Sequence, residues 1–128
     1  MNTTNLKNKI ITLLKGNLTV EAAKSLGFQI YVGHHRYRFI DENKRDMVLE
    51  PIYEIDKYDK QYGLIFARGG ETHVEIVDKE TGLEAKATAI CALTDSYERN
   101  TGIRYGLNRA LRDMLKQIKH KETAPVSE

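Results

Sequence analysis

Two groups of arginines stand out in this 128-residue chain as side chains that could do chemistry. The first lies in the segment His34 to Ile40, which alternates like a strand: Arg36 and Arg38 fall on one face with His34, and His35, Tyr37 and Phe39 on the other. The second lies on a helical stretch near the C-terminus. Leu107, Leu111, Met114, Leu115 and Ile118 form an apolar stripe there, and Asn100 and Arg104 continue it backwards as a polar i, i+4 pair. Arg109 projects beside a separate ridge of Gly102, Gly106 and Ala110. Guanidinium groups grip phosphates through paired hydrogen bonds, and nearby aromatic rings can stack on a base. The plain alternatives are a strand whose polar face is solvated and a tilted helix stripe whose polar pair reaches water.

Other chemistry finds little support. His34 and His35 are adjacent and diverge in a strand, His73 stands alone in sequence, and there is no H-x-x-x-H and no second cysteine, so no metal site is expected. Cys91 is the one candidate nucleophile, and its apolar surroundings read as core. Carboxylates such as Asp78 and Glu80 fall in a turn, and Gly69-Gly70 lacks the rest of a phosphate loop. The reading is therefore a binding protein and not an enzyme, with no cofactor. A formal charge of +2 is too small to announce nucleic-acid binding from the total alone. A single cysteine excludes an internal disulfide and fits a reducing cytoplasm, and no apolar run is long enough for a signal peptide or membrane span.

These side chains need a scaffold, and the pattern gives one α+β domain. Residues 1–27 read as two short helices, about Thr4 to Lys15 and Val20 to Leu26, with Thr19 as cap and Gly16 and Gly27 as stops. The pair resembles the start of a helix-turn-helix, but FQIYVGHHRYRFI, strand material, stands where a recognition helix is needed. Residues 28–93 read as an antiparallel meander of four or five strands. Pro51 makes the segment after Met47 an edge strand or loop, YGLIFARG is a strand, Gly69-Gly70 a turn, and KETG a hairpin connection. Leu83, Ala85, Ala87, Ala89 and Cys91 give the last strand a small-sided face on which a helix can pack closely. That long C-terminal helix is expected over 95–120, capped by Asp95 with Glu98 completing a capping box, and 121–128 as a tail. Two glycines inside a helix cost about 1 kcal/mol each against alanine. Their ridge is read as a close contact, most naturally with a second copy in a homodimer or larger homo-oligomer.

The stretch C-A-L-T-D-S-Y-E-R-N-T-G-I-R-Y-G-L-N-R-A-L, from Cys91 to Leu111, resembles small phage proteins, among them the Thoeris anti-defence sponge family. The family's usual Gly-Arg step is spread here to Gly102-Ile103-Arg104, and the helical segment Met1 to Gly27 is additional. The resemblance implies a phage-encoded protein in the host cytoplasm that sequesters a nucleotide-type immune signal of the cyclic ADP-ribose class without degrading it, as a homo-oligomer. It implies ligand contacts from Tyr97, Arg99, Asn100, Arg104, Asn108 and Arg109 on the helix, joined by Arg36 and Arg38 from the strand. Two other readings use the same features. One is a small nucleic-acid-binding phage protein with these arginines on phosphates. The other is a protein–protein inhibitor of a host enzyme, acting through the acidic, tyrosine-rich segment Glu50 to Tyr62.

Overall fold

In the computed structural model of the protein, α3 (Arg99–Thr123) lies across a four-stranded sheet so closely that its glycines touch strand side chains. Residues 3–41, 43–51 and 64–123 are described. The chain forms α1 (Thr4–Lys15), α2 (Val20–Ser25), β1 (Phe28–Phe39), β2 (Met47–Pro51), β3 (Arg68–Asp78), β4 (Glu84–Ser96) and then α3. The fold is the expected α+β arrangement: an antiparallel meander sheet with strand order β2-β1-β3-β4, the long helix, and two short N-terminal helices. Among the described residues no helix is long and apolar enough to cross a membrane.

Local signals explain the early elements. Thr19 caps α2 by accepting a hydrogen bond from the Ala22 amide at 3.1 Å. Gly82, with φ +77°, closes the turn between β3 and β4. Pro51 sits in β2 on the sheet edge, paired with His35. Four expectations need correction. The pair Gly69-Gly70 is not a turn but lies inside β3, where the register against β4 shifts between Arg68 and Gly70 as a β-bulge. Of the expected strand YGLIFARG, Ile65 makes an isolated bridge to Arg38, and Arg68 and Gly69 belong to the start of β3. Asp95 is not a helix cap: β4 pairs with β3 as far as Ser96, and the first helical amide bond runs from Gly102 to the Glu98 carbonyl at 3.0 Å. Cys91 is half-buried at a cavity wall and not in the core. The segment Glu50 to Tyr62 lies outside the described residues beyond Pro51, as does the tail from Ala124.

The core joins Leu6, Ile10 and Leu13 of α1 to Leu111, Met114 and Ile118 of α3, with Phe28, Ile76 and Ala85 from the sheet. The ridge on α3 is used within the chain. A Cβ on Gly102 would overlap the Thr72 side chain and one on Gly106 the Val74 side chain, while Ala110 is fully buried. The ridge thus faces the protein's own sheet and is not a subunit contact. Between α1 and the β3–β4 turn, Lys9 Nζ donates to the buried Asp78 carboxylate at 2.7 Å, and Thr81 adds its amide at 3.0 Å and its hydroxyl at 2.7 Å. Burial opposes ionisation of Asp78, but Lys9 and Thr81 together outweigh it and hold the carboxyl below the usual carboxylate range.

Two outcomes follow for stability. On an exposed helix Gly106→Ala would gain about 1 kcal/mol; here overpacking against Val74 should make it destabilising by about 1–3 kcal/mol. Val74→Ala should relieve that clash, so urea melts of the double variant should show it more stable than the two single changes add up to. Simple additivity would count against the close contact. For Asp78 the folded pKa is depressed, so its contribution is present above the unfolded value of about 3.9 and lost as pH falls through the folded value. Thermal melts should therefore show Tm falling on acidification below about pH 4, and Asp78→Asn should flatten that fall while lowering Tm at neutral pH.

Candidate functional site

The inner face of the sheet gathers polar groups where β4 hands over to α3. Tyr97 follows β4 directly, and its amide donates to the Ala67 carbonyl at 3.1 Å. Its ring lies against the backbone of the bulge, where a Cβ on Gly70 would meet the ring at 2.9 Å, so only glycine admits this approach. Its hydroxyl sits 2.6 Å from His34 Nδ1, 2.8 Å from Thr72 Oγ1 and 3.3 Å from the Glu71 carbonyl. Thr72 is wholly buried beneath Gly102. Burial, then the positive fields of Arg99 and Arg36 and the neighbouring His35, push the His34 pKa down, so the imidazole is neutral near pH 7. A neutral ring can take the Tyr97 proton at Nδ1 while the Thr72 hydroxyl donates to the Tyr97 oxygen. Burial also raises the pKa of Tyr97, keeping the phenol protonated. Arg36 stacks over the Tyr97 ring at 4.8 Å and donates from Nη2 to the Phe66 carbonyl at 3.0 Å. Its Nε is buried and has no partner among the described residues.

Beside this network, α2 and the first turns of α3 form a cleft over β1. It comprises adjoining cavities of about 460 and 480 Å³ that share Val20, Glu21, Asn100 and Ile103. Arg104 lines the first; His34, Lys24 and Arg99 line the second. Arg99 and Arg104 are exposed and form no ion pair among the described residues. The first turn of α3 contains no acidic residue, so the cationic side chain of Arg99 stands at the positive end of the helix dipole. A third cavity, about 380 Å³, is bordered by Tyr97, Cys91 and Tyr105, but its charged wall is Asp95 and Glu98.

The structure thus brings together Arg99, Asn100 and Arg104 in the cleft, with Arg36 and Tyr97 in the adjoining network. It does not bring the remaining candidates there. Arg38 is held by Glu50 through Nε and Nη2, the latter at 3.2 Å. Asn108 accepts from Arg112 Nε at 2.8 Å, and Arg109 Nη1 donates to the Thr88 carbonyl of β4 at 2.7 Å. His34 and Thr72 were missed as partners of Tyr97. The alternation of β1 put His34 on the right face, but only the β1–β3 pairing of His34 with Thr72 joins them. Nor does His73 stand alone: on the outer face its ring is 4.4 Å from that of His35.

Tyr97→Phe removes the hydroxyl from three partners and leaves the buried Thr72 oxygen with only His34, at 3.3 Å. The cost should be about 1–3 kcal/mol, read as a lower urea midpoint at unchanged slope. A midpoint equal to wild type would show that the network holds nothing together. Protein-family models, curated proteins and solved structures offer no match to this chain, and its function has to be read from this geometry.

Proposed function

We propose that the protein binds a small phosphorylated nucleotide in the cleft between α2 and α3 and holds it without chemical change. This is the role that resemblance to the Thoeris anti-defence sponge family implies for a cyclic ADP-ribose signal. The observation that carries the reading is the pair of arginines, Arg99 and Arg104, that face one cleft with Asn100 and the neutral His34 and have no ion-pair partner among the described residues. Arg99 at the positive end of the helix and Arg104 in the second turn repel each other, and a bound anion attracts both of them and the dipole. Arg99 and Arg104 would take phosphate oxygens, and Asn100 has both a donor and an acceptor for a ribose hydroxyl or base edge. The cleft is preferred to the cavity beside Cys91 because Arg99, Arg104 and Lys24 outnumber its one carboxylate, Glu21, whereas the charged residues of the latter are Asp95 and Glu98. A homo-oligomeric assembly would use a surface other than the glycine ridge, which is covered by the sheet.

Calorimetric titration with cyclic ADP-ribose isomers and cyclic oligonucleotides tests the reading. A charge-assisted hydrogen bond contributes roughly 1.5–3 kcal/mol, so Arg99→Ala and Arg104→Ala should each weaken binding by about ten- to a hundred-fold. Arg109→Ala should bind like wild type, since its guanidinium is spent on the Thr88 carbonyl. Heating the complex should release the ligand intact. Binding of DNA or RNA in place of nucleotides, with affinity falling steeply with salt, would favour the nucleic-acid reading instead. Wild-type affinity in both cleft variants would sink the assignment.

A further inference from the structure

On the sheet face opposite the Tyr97 network, antiparallel pairing sets His35 of β1 directly across from Glu71 of β3, and His73 follows on the same side of β3. We propose that His35, Glu71 and His73 form a binding site for a divalent transition-metal ion of the zinc class. Each residue offers one ligand atom, and these atoms lie within 4.8 Å of one another. Tetrahedral ligands at zinc–ligand distances of 2.0–2.2 Å stand about 3.4 Å apart, so side-chain rotations of roughly 1 Å close the set. The donor set, two imidazoles and one carboxylate, suits zinc and its first-row neighbours better than calcium or magnesium.

The surroundings orient the ligands. Thr88 Oγ1 on β4 is 2.9 Å from His73 Nδ1. Without a metal, Nε2–H can donate to Glu71 Oε2, 3.0 Å away, while Nδ1 accepts from the Thr88 hydroxyl. A metal ion would take the place of the Nε2 proton, and Nδ1–H would then donate to Thr88, holding the ring in the ligating tautomer. The rings of His35 and His73 are tilted by 52° at 4.4 Å, which lets both turn a nitrogen to one point. Gly33 is the strand partner of His73, and a Cβ there would meet nothing within 4 Å, so one side of the cluster is open. All three residues are partly exposed, leaving a fourth coordination position to water or an exogenous ligand.

The test uses the untagged full chain, freed of metal, titrated with Zn²⁺ against a chromogenic chelator. One Zn²⁺ per chain should bind, and His35→Gln and His73→Gln should each weaken it more than tenfold. Thr88→Val, which touches no metal, should weaken binding by about ten- to a hundred-fold through the freed His73 ring. His120→Gln should bind as wild type. Co²⁺ should give the intense visible absorption of four-coordinate cobalt in wild type and not in His73→Gln, a readout on the folded protein independent of affinity. Zn²⁺ should also raise the wild-type Tm and leave that of His73→Gln unmoved. Failure of wild type to bind Zn²⁺ at micromolar concentration, equal affinity in His73→Gln, or a six-coordinate Co²⁺ spectrum would each overturn the site.

Discussion

The approach of α3 to β3 at Gly102 and Gly106 is the constraint on which the rest of the structure depends. Two glycines in a 25-residue helix sacrifice about 1 kcal/mol each in helix propensity. They remove the side chains that would keep the helix axis away from Thr72 and Val74. The gain is distributed: α3 comes close enough for its stripe to be wholly buried at Leu107, Leu111, Met114 and Ile118, each such side chain contributing about 1.5–3 kcal/mol. The small residues of β4, Ala85, Ala87 and Ala89, complete the same accommodation from the sheet side. Because the contact runs to the first turn, it also fixes where the helix begins and which side chains stand over β1.

The alternation of β3 then divides the molecule chemically. Thr72 and Val74 turn inward beneath the helix, while Glu71 and His73 turn outward with His35. His34 and His35 are neighbours in sequence and belong to different faces. His34 is held neutral by burial and by arginine charge, in a network that includes a buried threonine; His35 stacks on His73 at the surface. The Glu71 backbone meets the Tyr97 hydroxyl on one side of the strand, and its side chain meets His73 on the other. One strand thereby carries two polar clusters that share no side chain.

What the sequence makes legible is what depends on near neighbours in the chain. The helices Thr4–Lys15 and Val20–Ser25, the Thr19 cap and the α3 stripe are set within a few residues and match their patterns. Pro51 at the edge follows from a missing amide. The misread positions are those decided by register across the sheet. Gly69 and Gly70 look like a turn because nothing local reveals the bulge that seats Tyr97. Asp95 looks like a cap because it precedes an amphipathic run, yet it lies within β4, whose Ser96 still pairs with Arg68 beyond the register shift. Spacing along the chain hid His73 because its neighbour His35 arrives by β1–β3 pairing. Of the candidate site, Arg99, Asn100 and Arg104 share a cleft because helical spacing alone groups them. Arg38, Asn108 and Arg109 could not be sorted out by spacing, since Glu50, Arg112 and the Thr88 carbonyl engage them.

The electrostatics at the start of α3 separate what the fold needs from what it does not. A cation at a helix N-terminus is unfavourable by about 0.3–1 kcal/mol where an acid would be favourable by a similar amount. Elsewhere the protein places charge to advantage: Lys9 on Asp78, Arg38 on Glu50, and His120 and Lys121 in the last turn of α3. At Arg99 it does not, although the same exposed position would accept glutamate with gain in helix stability, and Arg104, in the second turn, has no ion pair among the described residues. The packing gives no reason for these arginines, because the contact that seats the helix runs through Gly102 and Gly106 on another face. Their charge faces a cleft wide enough for a small molecule, and the anionic ligand proposed for it would turn this local cost into binding energy.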